Sequence, residues 1–297
     1  MLHLPVQQTG ETFRDNALVD TLTAPGETLL SALISDIQEV VMHRVLVIVP
    51  FPFGDKGLAN REAQMTDVKI GPDISFEYRG VKAGPALFDS YHDWALADVA
   101  LFEVGKNAQD EGYDAVCIDT MSDSGMNALR SVLDIPVIGP GRCSYLTALM
   151  LGSTFSVLTQ WDPWIGLYKK GLAEYGLADK CSSIRSINMP PDVENLLGGK
   201  EEVVFPLLRD AGLQCIEDGA EVICMGSTTM HQAVPYLREN LPVPIINPGP
   251  LTYKLAEFFL GLGLTQSRKA YARPHVPKLE MLEAMLVGAA QAEQSTV

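Results

Sequence analysis

Residues Asp114–Gly141, DAVCIDTMSDSGMNALRSVLDIPVIGPG, and Glu221–Gly249, EVICMGSTTMHQAVPYLRENLPVPIINPG, are two versions of one pattern. At constant offset Asp114 falls on Glu221, Cys117 on Cys224 and Thr120 on Ser227. One extra residue then brings Pro136-Val-Ile onto Pro244-Ile-Ile, and Pro140-Gly141 onto Pro248-Gly249. Each copy reads as an apolar strand, a polar turn, a helix, a second strand and a Pro-Gly turn. A repeat of this length points to duplicated α/β units. Two similar units imply a cleft between them, with Thr120 and Ser227 on opposite walls at the carboxyl ends of their strands, where parallel sheets gather ligands.

Outward from the repeat the alternation continues. Arg44–Val49 (RVLVIV) is a β-branched run ended by Pro50, which predicts a buried strand, and the PFPFGDKGLANRE segment after it predicts a loop. Asp73–Tyr78 predicts a strand, and Gly84-Pro85 the start of a helix to about Ala108. Helices are predicted over Ser124–Leu133 and Ser144–Leu151. Strands are predicted over Asp114–Asp119, Ile135–Ile138, Thr154–Thr159, Ser183–Ile187, Glu221–Met225 and Pro244–Ile246. Strands alternating with helices imply parallel sheets covered on both faces, an α/β class. Upstream, Gly26–Met42 carries Leu29, Leu30, Leu33, Ile34, Ile37, Val40 and Val41 at helical spacing, behind a polar arm.

The 297 residues are 47% hydrophobic and 20% charged, enough for a sizeable core, and the formal charge of −15 speaks against a phosphate backbone or an anionic membrane as partner. The N-terminus shows no basic region followed by an apolar stretch, and no apolar run approaches the ~20 residues of a spanning helix, so a cytoplasmic protein is expected. Five cysteines (117, 143, 181, 215 and 224) without paired spacing read as reduced thiols. No phosphate loop or dinucleotide fingerprint is present, and the spacing of Asp119, Asp123 and His231 does not support a metal site; no cofactor is expected.

Chemistry-bearing residues cluster in the two turns. Ser227, Thr228 and Thr229 at a helix start offer hydroxyls and free N–H groups to a carboxylate or oxyanion. His231, about one helical turn after Ser227, is a candidate base or orienter. Asp119 ends an apolar strand, where a carboxylate must be paired or functional. Ser122 lies in the same turn, and Asp123 there reads equally as a helix cap. Cys143 follows Pro140-Gly141 at a predicted helix N-terminus, where the dipole would lower its pKa. Pro50, Phe51 and Phe53 are candidate cleft walls, as are Tyr91 and His92.

Several segments resemble the hydantoin racemase branch of the aspartate/glutamate racemase superfamily. They are GPALFDSYHDWALAD after Gly84, the IDTMSDSG turn, LGSTFSVLT from Leu151, CSSIRSI from Cys181, EDGAEVICMGSTTM from Glu217 and KLAEFFLGLGLTQSRKAYARP from Lys254. The resemblance implies two pseudo-symmetric Rossmann-like lobes, each a roughly four-stranded parallel sheet flanked by helices, with the C-terminal helix returning to the first lobe. The expected organisation is an arm and helix over 1–43, lobe 1 over 44–140 plus 250–297, and lobe 2 over 141–249. The resemblance further implies cofactor-independent chemistry with one cysteine per lobe, one thiolate removing a proton beside a carbonyl and the opposite thiol returning one. At those two positions this chain has Thr120 and Ser227.

Three readings of the substitution are open: Cys117 and Cys224 as the thiols, Cys143 as a lone nucleophile, or hydroxyl chemistry carried by polar neighbours. The third leads to the expected function: hydrolytic or eliminative C–N or C–S cleavage of a small hydantoin- or thiohydantoin-like or amino-acid-derived carboxylate. In that scheme Thr120 and Ser227 hold or polarise substrate and Asp119 or His231 moves the proton. A racemase or isomerase with non-cysteine bases is the alternative, and an inactive ligand-binding homologue a further one. The expected partner is a small molecule, and a homo-oligomer is expected.

Overall fold

The computed structural model describes residues 42–191 and 201–294. The expected N-terminal arm and helix lie outside the described residues.

Two four-stranded parallel sheets form. The first has the order β2-β1-β3-β4, built from β1 (His43–Val49), β2 (Ile74–Gly80), β3 (Ala115–Ile118) and β4 (Val137–Ile138). The second has β6-β5-β7-β8, from β5 (Phe155–Thr159), β6 (Cys181–Ser186), β7 (Val222–Met225) and β8 (Ile245–Ile246). The sheets are equivalent strand for strand, so the duplication legible in one strand-helix-strand unit extends to both sheets. In each, the repeat strand pairs with the lobe's first strand, Cys117 opposite Val47 and Cys224 opposite Val157. Val45–Val49, β3, β5 and β7 are wholly buried, as short, mostly apolar runs covered on two faces should be.

Two helices bind the lobes together. α4 (Pro140–Leu151) follows β4 of the first lobe and packs on β5 and β7 of the second. α8 (Pro248–Gly261) follows β8 of the second lobe and packs on β3 and β4 of the first; the two helices also pack on each other. The repeat cysteines sit in these seams at matching places. The Cys117 thiol donates toward Thr252 O of α8 at 4.0 Å, and the Cys224 thiol toward Ser144 O of α4 at 3.6 Å. Thr252 and Ser144 each stand four residues after their Pro-Gly proline.

The Pro-Gly turns explain themselves sterically. A Cβ on Gly141 would collide with Met121 O, and one on Gly249 with Gln64 Oε1, so each glycine lets a helix start close against site residues. Proline at the first helical position sets the backbone for that start.

The structure departs from the sequence reading in places that matter for the site. PFPFGDKGLANRE is not all loop: Asp55–Glu62 forms helix α1. The helix expected from Gly84 begins at Tyr91, as α2 (Tyr91–Gly105) with Ser90 Oγ accepting from Asp93 N. Residues 81–90 form a loop instead, because Phe88 adopts a left-handed φ of 60° that cannot continue a helix. Two indoles hold this loop: Trp94 Nε1 donates to Phe88 O at 2.8 Å and Trp164 Nε1 to Leu87 O at 2.7 Å. Helix α3 (Met126–Val132) follows the first repeat turn. α5 (Ile165–Glu174) and α6 (Glu201–Glu217) cover the second sheet, and α7 (Val234–Asn240) follows the second turn. Among the described residues no helix is long and apolar enough to cross a membrane.

Candidate active site

A cleft opens between the lobes at the carboxyl ends of β1, β3 and β7. Thr120 and Ser227, each two residues beyond its strand, line it from the two lobes. Each hydroxyl is bonded to the hydroxyl two residues on: Thr120 Oγ1 to Ser122 Oγ at 3.2 Å, and Ser227 Oγ to Thr229 Oγ1 at 2.7 Å. Ser227 Oγ also accepts from Thr229 N, capping a 3-10 turn over Thr228–Ala233. The carbonyl before Ser227 is pinned by Tyr168 Oη, which donates to Gly226 O at 2.6 Å and takes a bond from Thr159 Oγ1 at 2.7 Å.

At the base of the cleft lies a buried ion pair. Arg61 Nη1 stands 3.3 Å from Asp119 Oδ2, with side chains 6% and 1% exposed. Asp119 Oδ1 accepts from Gln64 Nε2 at 3.3 Å, whereas Oδ2 accepts no hydrogen bond from the described residues. Arg61 Nη1 also donates to Thr228 Oγ1 at 3.1 Å, and its guanidinium lies over the Phe51 and Phe53 rings at 5.6 and 5.8 Å. Burial is the largest influence on both partners. It pushes the Asp119 carboxyl above the ordinary carboxylate range and Arg61 below its ordinary value; their mutual attraction, the next largest, offsets only part of this. Among the described residues Asp119 is the one carboxylate that lines the cleft.

The sequence candidates sort by place. Asp119, Thr120, Ser227, Thr228, Pro50 and Phe51 line the cleft. Phe53 stands behind Phe51, stacked on it at 5.2 Å and turned to Arg61. Thr229 and Ser122 sit one hydroxyl back from the cleft, behind Ser227 and Thr120. His231 is bonded elsewhere: its Nδ1 lies 2.8 Å from Asp67 Oδ2. The expectation that it comes round beneath Ser227 assumed an α-helical turn. In the 3-10 turn that forms, with ~3 residues per turn, the fourth residue points about a third of a turn away. Asp123 is buried, accepting from Gly141 N, Arg142 N and Tyr175 Oη, and so caps α4 across the turn. Tyr91 and His92 project into solvent. Sequence reasoning missed Arg61 and the 86–88 wall, which lines the cleft as Ala86, Leu87 and Phe88 opposite Trp164 and Leu167.

The cysteines do not reach the cleft among its described residues. Cys143 packs against the core cluster that holds Ile138 and Tyr253; burial, then the neighbouring Asp123 charge, raises its thiol to about 12, overriding the lowering expected of a helix N-terminus. Burial raises Cys181 and Cys215 to about 11, and Cys117 and Cys224 well above the ordinary thiol value. At pH 8 a thiol of pKa about 12 is thiolate in roughly one molecule in ten thousand. Iodoacetamide is therefore expected to leave catalytic turnover unchanged over an hour at pH 8, measured as residual rate. Inactivation in step with alkylation of Cys143 would return that thiol to the site.

Residues 59–256 match the family model described as Asp/Glu/hydantoin racemase, a span that includes both repeat turns and seven of the eight strands. The chain belongs to this family. Within the family it is 33% identical over 196 residues to a hydantoin racemase from Pseudomonas sp., covering 65% of this chain and 77% of that protein. It is 28% identical over 193 residues to one from Rhizobium meliloti, covering 65% and 79%. Among solved structures, allantoin racemase from Pseudomonas fluorescens superposes with a TM-score of 0.69 at 27% identity, over 79% of this chain and 98% of that one. Membership of the racemase family supports an enzyme, and the relatives' racemase activity fits the isomerase alternative better than the cleavage reading.

Proposed function

We propose that the protein is a racemase or isomerase of a small ring carbonyl compound of hydantoin type, moving the proton on the carbon beside the carbonyl. The observation that carries this reading is the buried Asp119–Arg61 pair opening into a cleft with a hydroxyl on each wall. Asp119, whose Oδ2 faces the Arg61 guanidinium at 3.3 Å and accepts no hydrogen bond from the described residues, and whose pKa is raised, takes the proton as general base. Arg61 holds positive charge beside the oxygen on which the enolate develops, in a site dry enough for that charge to count. Ser227 donates to the substrate's polar edge and Thr120 returns a proton to the ring carbon, the two standing where the resemblance implies thiols. The carboxylate thus takes the role of the missing thiolate.

The reading favours proton transfer over ring cleavage on a specific ground. A serine nucleophile needs an adjacent base. Ser227 is bonded to Thr229, and His231 to Asp67, so these two do not form a serine–histidine pair.

Proton NMR in D2O with 5-substituted hydantoins tests it. The expected result is enzyme-dependent loss of the ring C–H signal without new product signals, together with decay of optical rotation for a single enantiomer. Appearance of ring-opened product would replace the reading with the cleavage reaction.

A further inference from the structure

The two walls are alike in their first two oxygens and differ in the third. On the second wall the chain is Ser227 Oγ and Thr229 Oγ1. On the first it continues: Thr120 Oγ1 to Ser122 Oγ at 3.2 Å, then Ser122 Oγ to Ser124 Oγ at 2.9 Å. Ser122 Oγ also accepts from Ser124 N at 3.3 Å, which fixes its position in the turn. Thr120 faces the inter-lobe cleft. Ser122 borders a different groove on the outer side of the turn, together with Asp98, Asp123, Lys170 and Glu174. One hydroxyl therefore separates the cleft hydroxyl from a polar surface groove. Hydroxyl hydrogens rotate, so such a chain can point its O–H bonds toward the cleft or away from it, as a proton relay requires.

We propose that Ser122 is a positioning and relay residue, acting through Thr120, by which the proton given back to substrate at the first wall is drawn from solvent in the outer groove. The proposal rests on the proton-transfer reading above. In the step, the enolate carbon takes the Thr120 hydroxyl proton, Thr120 Oγ1 takes the Ser122 proton, and Ser122 Oγ takes a proton from a solvent acid in the groove. The C–H bond forms as three O–H bonds shift by one place. Asp119 returns its own proton to solvent, so each turnover restores the enzyme and consumes no proton.

The test is deuterium incorporation into a 5-substituted hydantoin by the full chain, with the solvent isotope effect followed across mixtures of H2O and D2O. The wild-type rate is expected to curve with deuterium fraction, since several protons move together. Ser122→Ala is expected to slow incorporation about 10²-fold, a low-end general-acid contribution, and to straighten the curve. Ser122→Thr, which keeps the hydroxyl, is expected to restore both. Equal losses in Ala and Thr variants would make Ser122 structural, and an Ala variant with wild-type rate and curvature would remove the relay; either leaves the racemase reading standing. No exchange by the wild type on any hydantoin would overturn that reading and the relay with it.

Discussion

Asp119→Asn is expected to slow exchange of the ring proton by about 10²- to 10⁴-fold, the span general-base catalysis supplies. The amide is nearly isosteric and can keep the Gln64 Nε2 bond through its oxygen; it costs stability by leaving Arg61 without its counter-charge, but it takes the base away without removing any wall of the cleft. Binding of the same hydantoin, measured by calorimetry, should therefore change far less than the rate. The wild-type pH profile supplies an independent check. A base works in its deprotonated form, so the rate should rise with pH through the Asp119 pKa, and burial places that limb above the ordinary carboxylate range. The limb should vanish in the Asn variant. An Asn variant keeping more than a tenth of the rate would move the base to the hydroxyl pair.

How much of this was readable beforehand depends on which residues carry it. Val45–Val49 of β1, and β3, β5 and β7, are four- to five-residue, mostly apolar runs buried on both faces, and such runs announce themselves by composition. The repeated Pro-Gly turns were legible too, because their glycines answer a local steric need at the start of α4 and α8. Asp119 drew notice as a charge at the end of such a run, and the structure provides its partner. That partner was not legible. Arg61 lies in α1, whose sequence DKGLANRE has one leucine and a glycine and no apolar stripe, so neither the helix nor its burial shows in a local window. Its burial is decided by Asp119 and Thr228, both distant in sequence, and by the Phe51–Phe53 rings, which lie outside the helix. A search for the cation that an apolar strand-end carboxylate demands, confined to the segment after β1, would have met Arg61 beside Lys56.

The same lesson applies to the 81–90 loop. Proline after Gly84 resembled a helix start, but the loop's course is set by two tryptophan N–H groups, one of them from the second lobe. Long-range hydrogen bonds of this kind leave no periodic trace. They nevertheless place Ala86, Leu87 and Phe88 against the cleft, and a left-handed phenylalanine there is strain of the sort that collects at functional sites.

Arg61→Met should show the largest effect on stability. Removing one member of a buried pair leaves the other desolvated and uncompensated, at a cost of about 3–5 kcal/mol. The loss should depend on pH, and the sign follows from Asp119. Its pKa in the folded chain already lies above the unfolded value, so the folded state keeps a proton that the unfolded state gives up. Stability from this group therefore falls as pH rises from the unfolded pKa to the folded one. Without Arg61, which opposes the rise, the folded pKa climbs further and the window widens. Inside it stability should drop by about 1.4 kcal/mol per pH unit. Urea denaturation at pH 5 and pH 8 measures this: the difference between wild type and Arg61→Met should be larger at pH 8. The double variant Arg61→Met/Asp119→Leu, which removes both charges, should regain most of the loss while remaining inactive. A penalty equal at the two pH values and unrelieved in the double variant would assign the cost to lost packing against Phe51 and Phe53 instead of to the charge.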